Sequence, residues 1–185
     1  MALVSQSDLE KRLGRALTAD EVSSFSTINT ATQTYIENML STGVESVTAT
    51  TRYYDGGVLH LPLNPCTGVT AVKYVDEYNN VVYTFNTSEY TLEPVNLALK
   101  HMIRNRYAKF NKGMNNVAVT AKFSIYDDVP TREVVKNAIL DILTQVIDGK
   151  ENITSESIEG YSVNFSNLTK TYAIQALDTL VQRII

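Results

Sequence analysis

Cysteine occurs once in this chain of 185 residues, at Cys66, so no disulfide can form within it. A lone thiol next to a proline reads as inert packing. Histidine occurs twice, at His60 and His101, in separate β-patterned runs with no cysteine or acidic residue at ligand spacing. No HxxxH, CxxC or HExxH pattern is present, so no metal ligand is assigned. GxSxG, SxxK and the phosphate-cradling glycine patterns are missing too, and Gly56-Gly57 reads as a hairpin turn. The adjacent carboxylates Asp76-Glu77 and Asp127-Asp128 do not make an acid/base couple. Neighbours on a strand point to opposite faces, and a pair before a helix is explained by the macrodipole. No catalytic residue is assigned and no cofactor is expected. No apolar stretch approaches the roughly 18 residues of a membrane span, so no membrane partner is expected. Met1–Gln6 lacks a basic start, which makes cytoplasmic folding the expectation. The formal charge of −4 argues against a general nucleic-acid binder.

What is present is a layout. Helical signals occupy residues 7–40, 130–148 and 167–184, and a long β-patterned block fills 46–125. Ser7-Asp8-Leu9-Glu10 has capping-box spacing, followed by Leu9, Leu13 and Leu17. Thr18-Ala19-Asp20-Glu21 repeats that spacing. It opens an amphipathic stretch through Val22, Phe25, Ile28, Tyr35, Ile36, Met39 and Leu40, with Gly43 as its stop. The period then changes to two through Val47, Ala49, Thr51 and Tyr53. Val58–Leu61 reads as a short strand ended by Pro62 and Pro65, and further runs follow at 69–75, 81–85, 90–92, 98–103 and 117–125. Pro130 opens a helix whose wide apolar face runs from Val134 to Ile147. The fold class expected is α+β: a helical core from 1–45 and 127–185, with an extended arm at 150–166. A β-rich subdomain of barrel or sandwich type, 46–126, is inserted between the two helical parts. Helices separated in this way must pack on one another across the strand block, or on another chain.

Two features are candidates for contact. From Pro94 to Tyr126 there are basic residues and no acidic one; Lys100, Arg104, Arg106, Lys109 and Lys112 form a basic hairpin over 100–122, interleaved with Tyr107 and Phe110. Such a tip suits phosphates or an acidic protein face, or it is a solvated hairpin whose lysines discourage edge pairing. The second feature is the alternating arm with Ile158, Tyr161, Val163 and Phe165, together with the apolar finish Leu180, Ile184 and Ile185. An extended apolar arm is suited to adding to a neighbour's sheet or groove.

The succession of the helix ending at Met39-Leu40, Thr51-Arg52-Tyr53-Tyr54-Asp55-Gly56-Gly57, Leu61-Pro62-Leu63-Asn64-Pro65, Val69–Val72, Tyr90-Thr91-Leu92, Asn116–Thr120 and the Pro130 helix resembles tailed-bacteriophage head–tail connector (adaptor) proteins. The order and spacing carry the resemblance, over nearly the whole chain. It implies a non-enzymatic virion neck component, assembled in the host cytoplasm. It also implies a homo-oligomeric ring, usually a dodecamer, beneath the portal protein and above a downstream tail or neck protein. Genomic DNA would pass through the lumen without specific binding. The arm Ile158–Phe165 and the helix Asn167–Ile185 would contact the portal or a neighbour, and 46–125 would correspond to a β insertion. Asp141, Asp148, Glu151 and Glu156 are candidates for an acidic lumen. The rival readings are a nucleic-acid-binding module using the basic hairpin 100–122, and a small hydrolase whose site assembles only in space.

Overall fold

Ser5, not Ser7, starts the first helix. In the computed structural model, which describes residues 3–148 and 175–180, Ser5 is the N-cap of α1 (Gln6–Leu13). Its hydroxyl accepts from the Asp8 amide at 3.2 Å, and the Asp8 carboxylate accepts from the Ser5 amide at 3.0 Å. The box lies two residues earlier than expected because Ser5-x-x-Asp8 closes with an aspartate where the usual pattern has glutamate. The Ser5 amide first, then the Ser5 hydroxyl donating to Asp8 Oδ2 at 2.8 Å, together with nearby Lys136, hold the Asp8 carboxyl down at about 2. A folded-state value below the unfolded one, about 3.9, stabilises the fold at neutral pH, and that contribution is lost as pH falls from about 4 towards 2. Ser5→Ala is therefore expected to cost about 1 kcal/mol at pH 7, and part of that cost should vanish on acidification through the same window. Denaturant midpoints of both proteins at pH 7, 4 and 2 check this, and a difference independent of pH would refute the coupling.

Gly14 ends α1 in the left-handed conformation, and its amide donates to Glu10. The Thr18–Glu21 box is present as expected, with the Thr18 amide on Glu21 Oε2 at 2.7 Å, and α2 runs Ala19–Leu40. Ile28, Ile36 and Leu40 are buried along it, and Asn29, Thr32 and Gln33 are buried beside them. Ser41, at φ 53°, takes the left-handed position after the helix, so the stop lies before Gly43. The third helix, α3 (Val129–Ile147), buries Val135, Ala138, Ile139, Leu140, Ile142, Leu143 and Val146. A helix so widely apolar belongs in an interior. Arg12 of α1 pairs with the buried Asp141 of α3, and Lys136 lies 3.1 Å from Asp8. Helices from before and after the strand block in sequence thus pair within one unit. Asp141, one of the candidates for an acidic lumen, is buried and pairs with Arg12.

The chain divides into two compact units, Met1–Leu40 with Pro130–Ile185, and Ser41–Val129. The second unit holds β1 (Thr50–Tyr54), β2 (His60–Val75), β3 (Val81–Thr84), β4 (Tyr90–Glu93), β5 (Lys100–Asn105) and β6 (Val117–Lys122). The order is β1-β6-β2-β5-β4, with β3 also on β2, and every pairing is antiparallel. β2 belongs to both halves of this sheet. His60–Cys66 pairs with β5, while Thr67–Tyr74 pairs with β6. One core takes residues from both halves: Leu61, Leu63, Cys66, Val72, Ile103, Val117, Val119 and Phe123. The sheet is open, so the expected barrel closure does not occur.

Pro62 and Pro65 do not end the strand. They sit in the stretch of β2 that β6 has not yet joined, and the register on the β5 side slips between Pro62 and Cys66. Missing N–H donors are tolerated at such an unpaired edge and at a bulge. Strand β1 begins at Thr50 rather than near Val47.

Candidate assembly surfaces

The basic residues do not form a hairpin. β5 and β6 lie on opposite sides of β2, and residues 106–116 cross from one to the other. The crossover is stitched to the segment before β2. The Gly57 amide donates to Phe110 O and the Phe110 amide to Val58 O, at 2.9 and 2.8 Å, while the Gly56 amide donates to Gly113 O at 2.9 Å. Phe110 anchors it in the core against Phe85, with ring centroids 5.6 Å apart and edge-on. Sequence periodicity missed this connection, because two runs separated by a polar segment look the same whether they pair directly or flank a third strand.

The five cations accordingly have different surroundings. Lys100 Nζ donates to the carbonyls of Pro94 and Val95 at 2.6 and 3.1 Å, pinning the β4–β5 loop. Partial burial pulls its pKa down. Arg106 Nε donates to Thr91 Oγ1 at 2.9 Å. Arg104 shares a register row with His60 and Thr91, hence one face of the sheet. Arg104, Lys109 and Lys112 are exposed. Tyr107 and Met114, 77% and 84% exposed, stand on the same crossover. His60, expected to lack an acidic neighbour, has Glu93 Oε2 at 3.6 Å from Nδ1. Neither residue is near a sequence neighbour that would reveal this, because the strand pairing brings them together.

Cys66 is fully buried, and that burial pushes its thiol up to about 11, which leaves it unreactive at neutral pH. Among the described residues no group of histidine, cysteine and carboxylate side chains is arranged to hold a metal ion. No described helix is long and apolar enough to cross a membrane.

In the helical unit, the first turns of α3 and the helix of residues 175–180 enclose a groove of about 460 Å³ lined by Pro130, Thr131, Val134, Gln175, Ala176, Thr179 and Leu180. Leu180 is thereby placed on a concave, mixed apolar and hydroxyl-bearing surface, while Leu177 beside it is buried. Ile158, Tyr161, Val163, Phe165, Ile184 and Ile185, and the lumen candidates Glu151 and Glu156, lie outside the described residues. The charge is unevenly placed: acids and bases balance over 41–129, so the formal −4 rests on the rest of the chain.

The sequence matches no protein-family model and no curated protein. Its fold matches solved structures. A chain from the neck of an empty GTA particle, computed with C6 symmetry, superposes with a TM-score of 0.56 at 15% identity, over 98% of this chain and 88% of that one. A chain from the neck of a native GTA particle with C12 symmetry gives 0.50 at 15% identity, over 96% and 86%. One from the virion of a native gene transfer agent (GTA) particle gives 0.50 at 18%, over 98% and 88%. Two α-helical segments, an inserted antiparallel sheet and a closing helical part are therefore a fold shared with chains of a phage-like neck.

Proposed function

We propose that this chain is a structural neck component, a connector that assembles as a ring beneath a portal and joins a capsid vertex to a tail. The observation that carries the reading is the likeness of nearly the whole chain, both units together, to chains from GTA necks solved with six- and twelve-fold symmetry. A ring needs two different, mutually fitting surfaces on each copy, since head-to-tail contacts close only when the rotation does. The groove at Leu180 and the exposed basic crossover are two unlike surfaces available for such contacts. The portal and a downstream neck or tail protein are the proposed partners, and DNA passes through without specific binding. The role is non-enzymatic, and the place of action is the virion neck after assembly in the host cytoplasm.

The test is native mass spectrometry of the purified chain, alone and with its portal, over a hundredfold range of concentration. Assemblies at multiples of 20.6 kDa that close at one ring size are expected. A monomer throughout, with no portal complex, would end the reading. A second reading follows from Tyr107, Lys109 and Lys112 being exposed together. If the free chain instead binds duplex DNA, with an affinity that falls steeply with salt and is lost in Lys109→Gln/Lys112→Gln, the crossover is a nucleic-acid surface.

A further inference from the structure

The half-sheet β1-β6-β2-β3 has two open edges, at β1 and at β3. Each is short, β1 carries Arg52 and β3 has a bulge, but no described strand pairs with either outer edge and neither strand holds lysine or proline. β1 reads Thr-Thr-Arg-Tyr-Tyr and β3 reads Val-Val-Tyr-Thr, residue types that favour strands. Their apolar side chains are displayed: Tyr53 is 43% exposed, Val81 53%, Val82 68% and Tyr83 41%. Both strands are also held firmly. Thr51 and Thr120 hydroxyls lie 2.9 Å apart, and Tyr83 donates to Glu89 at 2.6 Å. The turn before β3 is locked by the Asp76 carboxylate, which accepts from the Tyr78 and Asn80 amides at 2.9 and 2.8 Å.

Chain direction decides what fits these edges. Each neighbouring pair in the half-sheet is antiparallel, so β1 and β3 run in opposite directions. When identical copies follow one another with a small rotation, β1 of one copy meets β3 of the next antiparallel. That is the stronger ladder, and it needs no inversion of either copy. A two-fold dimer would bring like edges together and leave the other edge of each copy bare. We propose that the partner of both edges is a second copy of this chain, β1 of one pairing with β3 of the next, so that the sheet left open within each subunit is closed around the assembly. The proposal rests on the ring reading and adds which strands make the contact. Closure of this kind removes every bare edge of the half-sheet, as it does in a barrel.

Val82 offers a clean test. The β2–β3 register passes from Tyr83 opposite Tyr74 to Val81 opposite Val75, leaving Val82 without a partner on β2. Val82→Pro therefore spares the subunit's own ladder while spoiling the outer edge. It is expected to weaken ring formation at least tenfold, with an unchanged circular-dichroism spectrum. Independently, Tyr53→Cys/Val82→Cys and Thr51→Cys/Val82→Cys sample two registers on one face, and native Cys66 is too buried to compete. Mild oxidation should give a ladder of multimers rather than dimers alone. Rings that form undiminished in Val82→Pro and give no cross-link in either double variant overturn the strand contact and leave the ring reading intact. A wild-type chain that stays monomeric with and without portal overturns both.

Discussion

Replacing Phe110 with alanine is expected to lower the unfolding free energy by about 3–5 kcal/mol. The side chain is almost fully buried, and it packs edge-on against Phe85 and Tyr74, with centroids 5.6 and 6.4 Å away. Every other residue of its crossover is exposed or half-buried, Tyr107 and Met114 included, so Phe110 is the one side chain of that segment in the core. The same substitution should release residues 106–116, raising amide exchange at Lys109 and Lys112 far more than in β6. Urea unfolding and hydrogen exchange read the two effects. A loss under about 1 kcal/mol would mean that the aromatic cluster does not hold the crossover.

Gly56→Ala should be nearly as damaging, for the opposite reason. An added methyl would overlap the carbonyl oxygen of Asn111 and lie 2.8 Å from Asn116 Oδ1. Backbone cannot swing aside as a long side chain can. The Gly56 amide already donates to both Gly113 O and Asn116 Oδ1 at 2.9 Å, so the two segments are tied at the point of conflict. Separation costs about 3 kcal/mol or more, at the upper end of overpacking effects. Because Lys109 and Lys112 ride on the displaced segment, any interaction made by the basic crossover should weaken with it. Thermal melting and a salt-dependent binding assay, run on the variant and on Gly56→Ser, check the steric origin. A Gly56→Ala protein as stable as the parent would show that the crossover can shift freely.

The helices were legible because their signals are local. Thr18-x-x-Glu21 and the three-and-four spacing of Ile28, Ile36 and Leu40 state a cap and a face within one segment. The sheet was only half legible. Alternation located strands near 50–54, 81–84, 90–93, 100–105 and 117–122, yet it carries no information about partners. β2 shows the limit most clearly. Two prolines read as a terminator, but a proline's cost depends on whether a neighbouring strand needs its N–H, and only the fold determines that. The contact between His60 and Glu93 and the ion pair between Arg12 and Asp141 were invisible for the same reason, since each joins residues far apart in sequence. The groove at Leu180 gave one hint beforehand, in the apolar run at the end of the chain.

The chain enters and leaves its strand unit at one point. Gly43 bridges Ser124, and the amide of Ile125 donates back to the carbonyl of Gly43 at 3.0 Å. This backbone pairing closes the β-insertion at its base. Its two ends lie about one strand spacing apart, roughly 5 Å, so a short loop can rejoin them, and loop-closure cost grows only slowly with length. Residues between these two ends can therefore be lengthened or shortened without changing the spacing at which the flanking segments are joined.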